Sequence, residues 1–248
     1  MNCIGIIPAR FGSTRFPGKP LAEIAGKSMI QRVYEQASKS KHLKKVLVAT
    51  DDDRILKHVS SFGGAAMMTS ENHVNGTQRC EEVVSNLNES YDVVINIQGD
   101  EPLIQPKLID SVCEIFEIPD IEIATLITKI DSSEDLLNPN VVKVVTDKNG
   151  SALYFSRSPI PYNKNIQADK LPDDVSYLQH IGLYAYRTDV LQKLVKLEPS
   201  KLEMAESLEQ LRWLENGFSL QTIFSSLPSY AVDSPSDIGK IEKLLETQ

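Results

Sequence analysis

The chain has 248 residues, 41% of them hydrophobic and 24% charged, with a net charge of −8. That length can bury a substantial core in one large α/β domain. The negative balance argues against wrapping nucleic acid, and no run approaches the roughly 18 apolar residues of a membrane helix. The apolar opening at 4–7 is too short for a signal-peptide core and lacks a basic lead, so a cytoplasmic protein is expected. Cys3, Cys80 and Cys113 are odd in number and widely spaced, which fits reduced thiols better than disulfides or zinc. The glycosylation sequons at Asn75, Asn88 and Asn149 are read as chance matches.

In chain order, apolar runs at 4–7, 46–49, 93–97 and 123–127 predict buried strands. Between them, helical periodicity covers 29–38, 54–62, 77–87 and 107–116. Ser28 with Gln31 forms a candidate capping box, and Asp51 to Asp53 place negative charge at the next helix start. This alternation predicts an α/β fold, a mostly parallel doubly wound sheet of Rossmann-like type. Ligands of such sheets bind beyond the carboxyl ends of the strands, which directs attention to the segments after Pro8, Thr50 and Gln98. Further strands are expected at 141–146, 152–156 and 177–186, with a mobile loop at 159–172. Together, about 141–187, they are read as a β-rich lobe inserted into a single domain spanning 1–248. Helices follow at 190–197 and 203–215, then a strand at 220–224 and a terminal helix begun by Ser234-Pro235.

The first strand empties into Arg10-Phe-Gly12-Ser13-Thr-Arg15-Phe-Pro-Gly18-Lys19, three cations and two glycines within ten residues of an acidic chain. Glycines let backbone N–H groups approach an anion, and Arg and Lys supply charge, so a triphosphate is the natural ligand. A Walker A loop is excluded because five residues, not four, separate Gly12 from Gly18-Lys19, and Pro20 stands where a metal-binding hydroxyl belongs. Asp100 follows the apolar strand at 93–97. A carboxylate beside a triphosphate has a role if Mg²⁺ bridges them.

The segment IPARFGSTRFPGKPL at 7–21 is similar to the phosphate loop of the 3-deoxy-manno-octulosonate cytidylyltransferases. The resemblance continues through ATDDDRI at 49–55, NIQGDEPLI at 96–104, ALYFSRSPIP at 152–161, HIGLYAYR at 180–187, SLEQLRWLENG at 207–217 and VDSPSDI at 232–238. It spans the chain in order. It implies a nucleotidyltransferase-type sheet and transfer of CMP from CTP to 3-deoxy-D-manno-octulosonate, giving the activated sugar for lipopolysaccharide synthesis. It also implies Mg²⁺ and a homodimer built through the 141–187 lobe. Related acceptors, an 8-amino-3,8-dideoxy-octulosonate or a nonulosonate, belong to the same reading. A non-catalytic nucleotide-binding regulator is a rival from another class, but it predicts a lost loop cation or metal carboxylate, and neither is missing.

The resemblance also distributes roles. Arg10, Lys19 and Asp100 are the catalytic candidates. Arg10, Gly12, Ser13, Arg15 and Lys19, with Gly76, Thr77 and Arg79, are implied to hold the nucleotide. Asp100 and Asp233 are implied to ligate the metal. Arg157, a cation ending an apolar strand, suits a two-pronged grip on the sugar carboxylate. His180 and Tyr184 are implied to face the sugar, with Gln98, Glu206, Glu209 and Gln210 as partners for its hydroxyls. On residue type alone His180 suits a structural histidine, and Glu206, Glu209 and Gln210 suit an exposed helix face. Trp213 and Tyr186 are assigned to packing. The family usually reads H-x-S-G-T-D-R where this chain has His73-Val-Asn75-Gly76-Thr77-Gln78-Arg79, so a hydroxyl and a carboxylate are replaced.

Overall fold

The computed structural model describes residues 1–12, 16–164, 171 and 176–247. Strand and helix alternate through the first half. β1 (Cys3–Ala9) leads through the short strands β2 (Glu23–Ile24) and β3 (Lys27–Ser28) to α1 (Met29–Ala37) and β4 (Leu43–Thr50). Next come α2 (Asp53–Ser61), β5 (Ala66–Met68), α3 (Gly76–Asn86) and β6 (Val93–Asn96). α4 (Pro106–Glu114) and β7 (Ile123–Lys129) complete the pattern. The second half starts with α5 (Ser133–Leu137), β8 (Lys143–Thr146), β9 (Ala152–Ser156) and β10 (Leu178–Arg187). It closes with α6 (Thr188–Leu194), α7 (Lys201–Glu206), α8 (Gln210–Glu215), β11 (Leu220–Phe224) and α9 (Ile238–Glu246).

Helix starts follow local chemistry. Ser28 Oγ accepts from Gln31 N at 3.2 Å, but the Gln31 side chain turns to Glu35 at 2.9 Å. The expected capping box is therefore only half made, because the carboxylate one turn on offers the stronger acceptor. Asp52 caps α2 through Arg54 N at 2.9 Å, and Asp53 lies in its first turn.

The sheet has nine strands, and its main path runs β11-β7-β10-β6-β1-β4-β5. Neighbours along it are parallel except at β10, which is antiparallel to both β6 and β7. Alternating side chains divide the core. Cys3, Ile7 and Ala9 of β1 pack with α1, α2 and α4 on one face, while Ile4 and Ile6 pack with α3, α6 and α8 on the other. The three cysteines are buried and unbridged.

One sequence expectation takes a definite place in the fold and another changes. The segment 141–187 joins the same sheet: β10 occupies the main path, and β8 pairs with both β10 and β9. The single helix expected at 203–215 is broken at Ser207, whose φ of 53° is left-handed. Beyond the break Leu208 and Leu211, three residues apart and so on one face, are buried in the core. Of the loop expected to be mobile at 159–172, residues 165–170 and 172 lie outside the described residues.

Candidate active site

Strands β1, β4 and β6 are parallel, so the loops after Pro8, Thr50 and Gln98 emerge at one edge. They are closely fitted. A Cβ at Gly99 would lie 2.8 Å from Pro8 O, and one at Gly76 would lie 3.1 Å from Pro8 Cγ. At Gly99 a side chain would force the Asp100 loop away from the Pro8 backbone, and at Gly76 it would press on the Pro8 ring.

The phosphate loop closes on itself. Gly18 N donates to Phe11 O at 2.9 Å, with Gly18 in a left-handed conformation at φ 72°. The Arg54 guanidinium lies 3.3 Å above the Phe11 ring centroid and chelates Asp52, whose carboxyl its hydrogen bonds hold down at about 2. Arg10 stays half-exposed, its Nε 3.7 Å from Asp51 Oδ2. Lys19 Nζ donates to Asp100 Oδ2 at 2.7 Å. Ser13 and Arg15, expected to complete the cradle, lie outside the described residues. Gly12 has open space on its Cβ side.

Asp100 and Asp233 are drawn together by the backbone: Val232 N donates to Asp100 O at 2.9 Å. Glu101, buried one residue on, accepts from Ser229 Oγ at 2.9 Å and adds a second tie between the same segments. Burial raises the Glu101 carboxyl to about 7. The described residues contain no cluster of three or more His, Cys, Asp or Glu that would cage a metal. Two hard oxygen donors beside a phosphate loop nevertheless fit Mg²⁺, which takes one or two carboxylates and completes its shell from phosphates and water.

The reversed strand furnishes the other half. Tyr184 pairs with Asn96 at the end of β6, so residues before Tyr184 project past that end toward the same edge. Gln98 Nε2 donates to Gly182 O at 2.8 Å and stitches the two halves together. His180 Nε2 lies 2.9 Å from Thr125 Oγ1, its ring packed against Phe155 and Tyr184. Burial alone pushes its pKa down to about 3, so this imidazole is neutral at physiological pH. Tyr184 and Tyr186 close edge-on against Trp213, consistent with packing for the latter two. Gln210 is buried. Glu209 accepts from Asn75 Nδ2 at 2.7 Å and from Thr77 Oγ1 at 3.0 Å, and burial lifts its carboxyl to about 7.

Three expected contacts are redirected. Arg79 is fully buried, donating to Thr69 Oγ1 at 2.7 Å and Ser70 O at 3.1 Å and pairing with Asp51. Its guanidinium is engaged within the protein, where it joins the loop after β4 to α3. Arg157 donates to the carbonyls of Pro139 at 2.9 Å, Glu206 at 2.7 Å and Ser207 at 3.3 Å. The left-handed turn at Ser207 leaves the last carbonyls of α7 without helical partners, and Arg157 takes them. Glu206 is in turn held by Ser156 Oγ at 2.6 Å and Arg157 N at 2.9 Å.

Sequence reasoning missed Asp51, Glu101 and Asn75 as site-building residues. Asp51 had been absorbed into a helix-start reading, and nothing in the sequence marks the burial of Glu101. Asn75 carried a readable signal, since Asn three residues before Gln78 is an N-cap pattern. Asn75 Oδ1 accepts from Gln78 N at 2.9 Å, and Gln78 Oε1 accepts from Val74 N at 3.0 Å. The two replacements thus work together at the start of α3.

A mostly parallel sheet with a basic glycine loop beyond its first strand and a carboxylate beyond the adjacent strand β6 is the arrangement of a nucleotidyltransferase. The family profile described as cytidylyltransferase matches residues 4–223. A 3-deoxy-manno-octulosonate cytidylyltransferase of Cytophaga hutchinsonii is 49% identical over 243 residues, covering 97% of this chain and 96% of the relative. One from Bacteroides thetaiotaomicron is 48% identical over the full length of both chains, 100% and 100%. The solved structure of CMP:2-keto-3-deoxy-manno-octonic acid synthetase complexed with CTP superimposes with a TM-score of 0.92 at 42% identity, covering 100% of this chain and 99% of that one. The chain belongs to the 3-deoxy-manno-octulosonate cytidylyltransferase family. A 4-diphosphocytidyl-2C-methyl-D-erythritol synthase from Anaerococcus prevotii, 12% identical with a TM-score of 0.63 over 99% of both chains, shares the fold alone.

Proposed function

We propose that this chain transfers CMP from CTP to the anomeric hydroxyl of 3-deoxy-D-manno-octulosonate, yielding the activated sugar for lipopolysaccharide synthesis. One observation supports the reading: through the Lys19–Asp100 pair and the Gln98–Gly182 bond, the basic glycine loop, the loop after β6 and β10 meet at one edge. The sugar oxygen attacks the α-phosphorus, the bond between that phosphorus and the bridging oxygen breaks, and pyrophosphate leaves with that oxygen. The hydroxyl proton passes to solvent.

Such transfers depend on positioning and on neutralising phosphate charge. Arg10 and Lys19 grip the triphosphate and stabilise the departing pyrophosphate. Lys19 is held ready by Asp100 until the phosphates arrive. Asp100 and Asp233 would hold Mg²⁺, which when bound supplies charge neutralisation at the phosphates. Neutral His180, Tyr184, Gln98, Glu209 and Gln210 line the acceptor side, where a hydrated sugar exchanges water for fixed polar groups.

A cytoplasmic setting belongs to the same proposal; among the described residues no helix is long and apolar enough to cross a membrane. A homodimer is supported by β9, which pairs only with β8 among the described strands and exposes Leu153, with Tyr162 exposed nearby in sequence. Pyrophosphate release should require CTP, the octulosonate and Mg²⁺ together. Turnover only with a nonulosonate, or only with another nucleotide, would overturn the acceptor or the base.

A further inference from the structure

The residue that departs most visibly from the family pattern, Asn75, joins the two halves of the cleft. Its amide is used at both ends: Oδ1 accepts from Gln78 N at 2.9 Å and Nδ2 donates to Glu209 Oε1 at 2.7 Å. The chemistry fixes which end is which, because a backbone N–H needs an acceptor and a carboxylate needs a donor. Thr77 Oγ1 donates to the other Glu209 oxygen at 3.0 Å. Between these two residues lies Gly76, packed so tightly on Pro8 that an added Cβ would sit 3.1 Å from Pro8 Cγ. The first turn of α3 therefore rests on the phosphate loop and grips Glu209 from both sides.

We propose that Asn75 is a positioning residue for acceptor recognition, locking the Glu209 carboxylate in place by donating to it while capping α3. The proposal rests on the reading of Glu209 as an acceptor contact. Serine, threonine and aspartate cap helices as well as asparagine does. Aspartate has no proton to give Glu209, and a serine hydroxyl is shorter and carries a single proton. Asparagine alone among the good caps accepts and donates through separate atoms.

The surroundings make the bond consequential. Glu209 is half-buried, facing Tyr184, Tyr186 and Cys80 as neutral neighbours, with Arg212 and Glu203 the charged groups that act on it. Burial pushes the carboxyl up, and the hydrogen bond from Thr77 works against that; the 2.7 Å bond from Asn75 Nδ2 likewise favours the ionised form on chemical grounds. Removing one donor lets the proton stay to higher pH.

The test compares Asn75→Ser with Asn75→Asp, both of which keep a cap. Asn75→Ser should raise KM for the octulosonate about tenfold, the usual effect of losing a hydrogen bond to a charged group, and leave KM for CTP within about twofold. The acid limb of kcat/KM for the acceptor should move to higher pH, and further still in Asn75→Asp, where a second carboxylate faces the first. The melting temperature of Asn75→Ser should stay near that of the wild type, separating this effect from loss of the cap. An equal rise in both KM values, or no change in either, overturns the proposal. Glu209→Gln tells two failures apart. If it leaves the acceptor KM unchanged, Glu209 is not an acceptor contact and both readings fall. If it raises that KM while Asn75→Ser does not, the role of Asn75 alone is lost.

Discussion

The donor and acceptor sides of the cleft solve opposite electrostatic problems. On the donor side the charges stay near water: Arg10 keeps 46% of its side chain exposed, and Lys19 and Asp100 keep 17% and 30%. On the acceptor side the ionisable groups are sunk into the protein, so His180 is neutral and Glu209 is lifted to about 7. A triphosphate brings its own charge and needs mobile, solvated cations to meet it. A sugar acid is largely hydroxyl surface, and its recognition calls for oriented groups in a drier setting, where each hydrogen bond discriminates more strongly.

The sharpest way to break this contrast is at Asp100. Asp100→Asn keeps shape but removes charge, and should lower kcat by about a thousandfold with little change in melting temperature. Near-normal turnover would refute its place at the phosphates. The next effect concerns the floor shared by both sides. Arg79→Met strips Asp51 of its buried partner and should cost about 3–5 kcal/mol in chemical denaturation, an effect on stability far larger than any on KM. If stability is unchanged and KM for CTP rises instead, Arg79 reaches the nucleotide after all.

The smallest effect sharpens the acceptor side. Glu209 holds its proton more tightly folded than unfolded, so it contributes stability at low pH that is lost as pH rises from about 4.5 through about 7. Glu209→Gln has no such dependence. Its stability relative to the wild type should therefore improve across that window, by up to about 3 kcal/mol. A flat difference would mean the carboxyl is better hydrated than its burial implies.

The parallel half of the fold is legible because its signals are local. Apolar runs, caps at Ser28 and Asp52, and glycines at the strand ends each declare themselves within a few residues. The acceptor half is less legible because its decisive events are tertiary. An apolar run such as that of β10 reads the same in either direction, so its reversed place in the central sheet leaves no local mark. Ser207 is an ordinary helix residue, and it takes a left-handed conformation where Leu208 and Leu211 turn into the core. Arg79 looks like a ligand-binding cation until Asp51, 28 positions away, is found beside it. Asn75 is the intermediate case: its cap could be read, its second bond could not.

The reversed β10 also separates what can be altered from what cannot. The loops after β1, β4 and β6 all leave forward-running strands, whereas β10 runs the opposite way and brings the residues before Tyr184 to the same edge. Substitutions within β10 at 178–184 would therefore reach the side proposed for the acceptor while leaving the loops after β1 and β4 as they are.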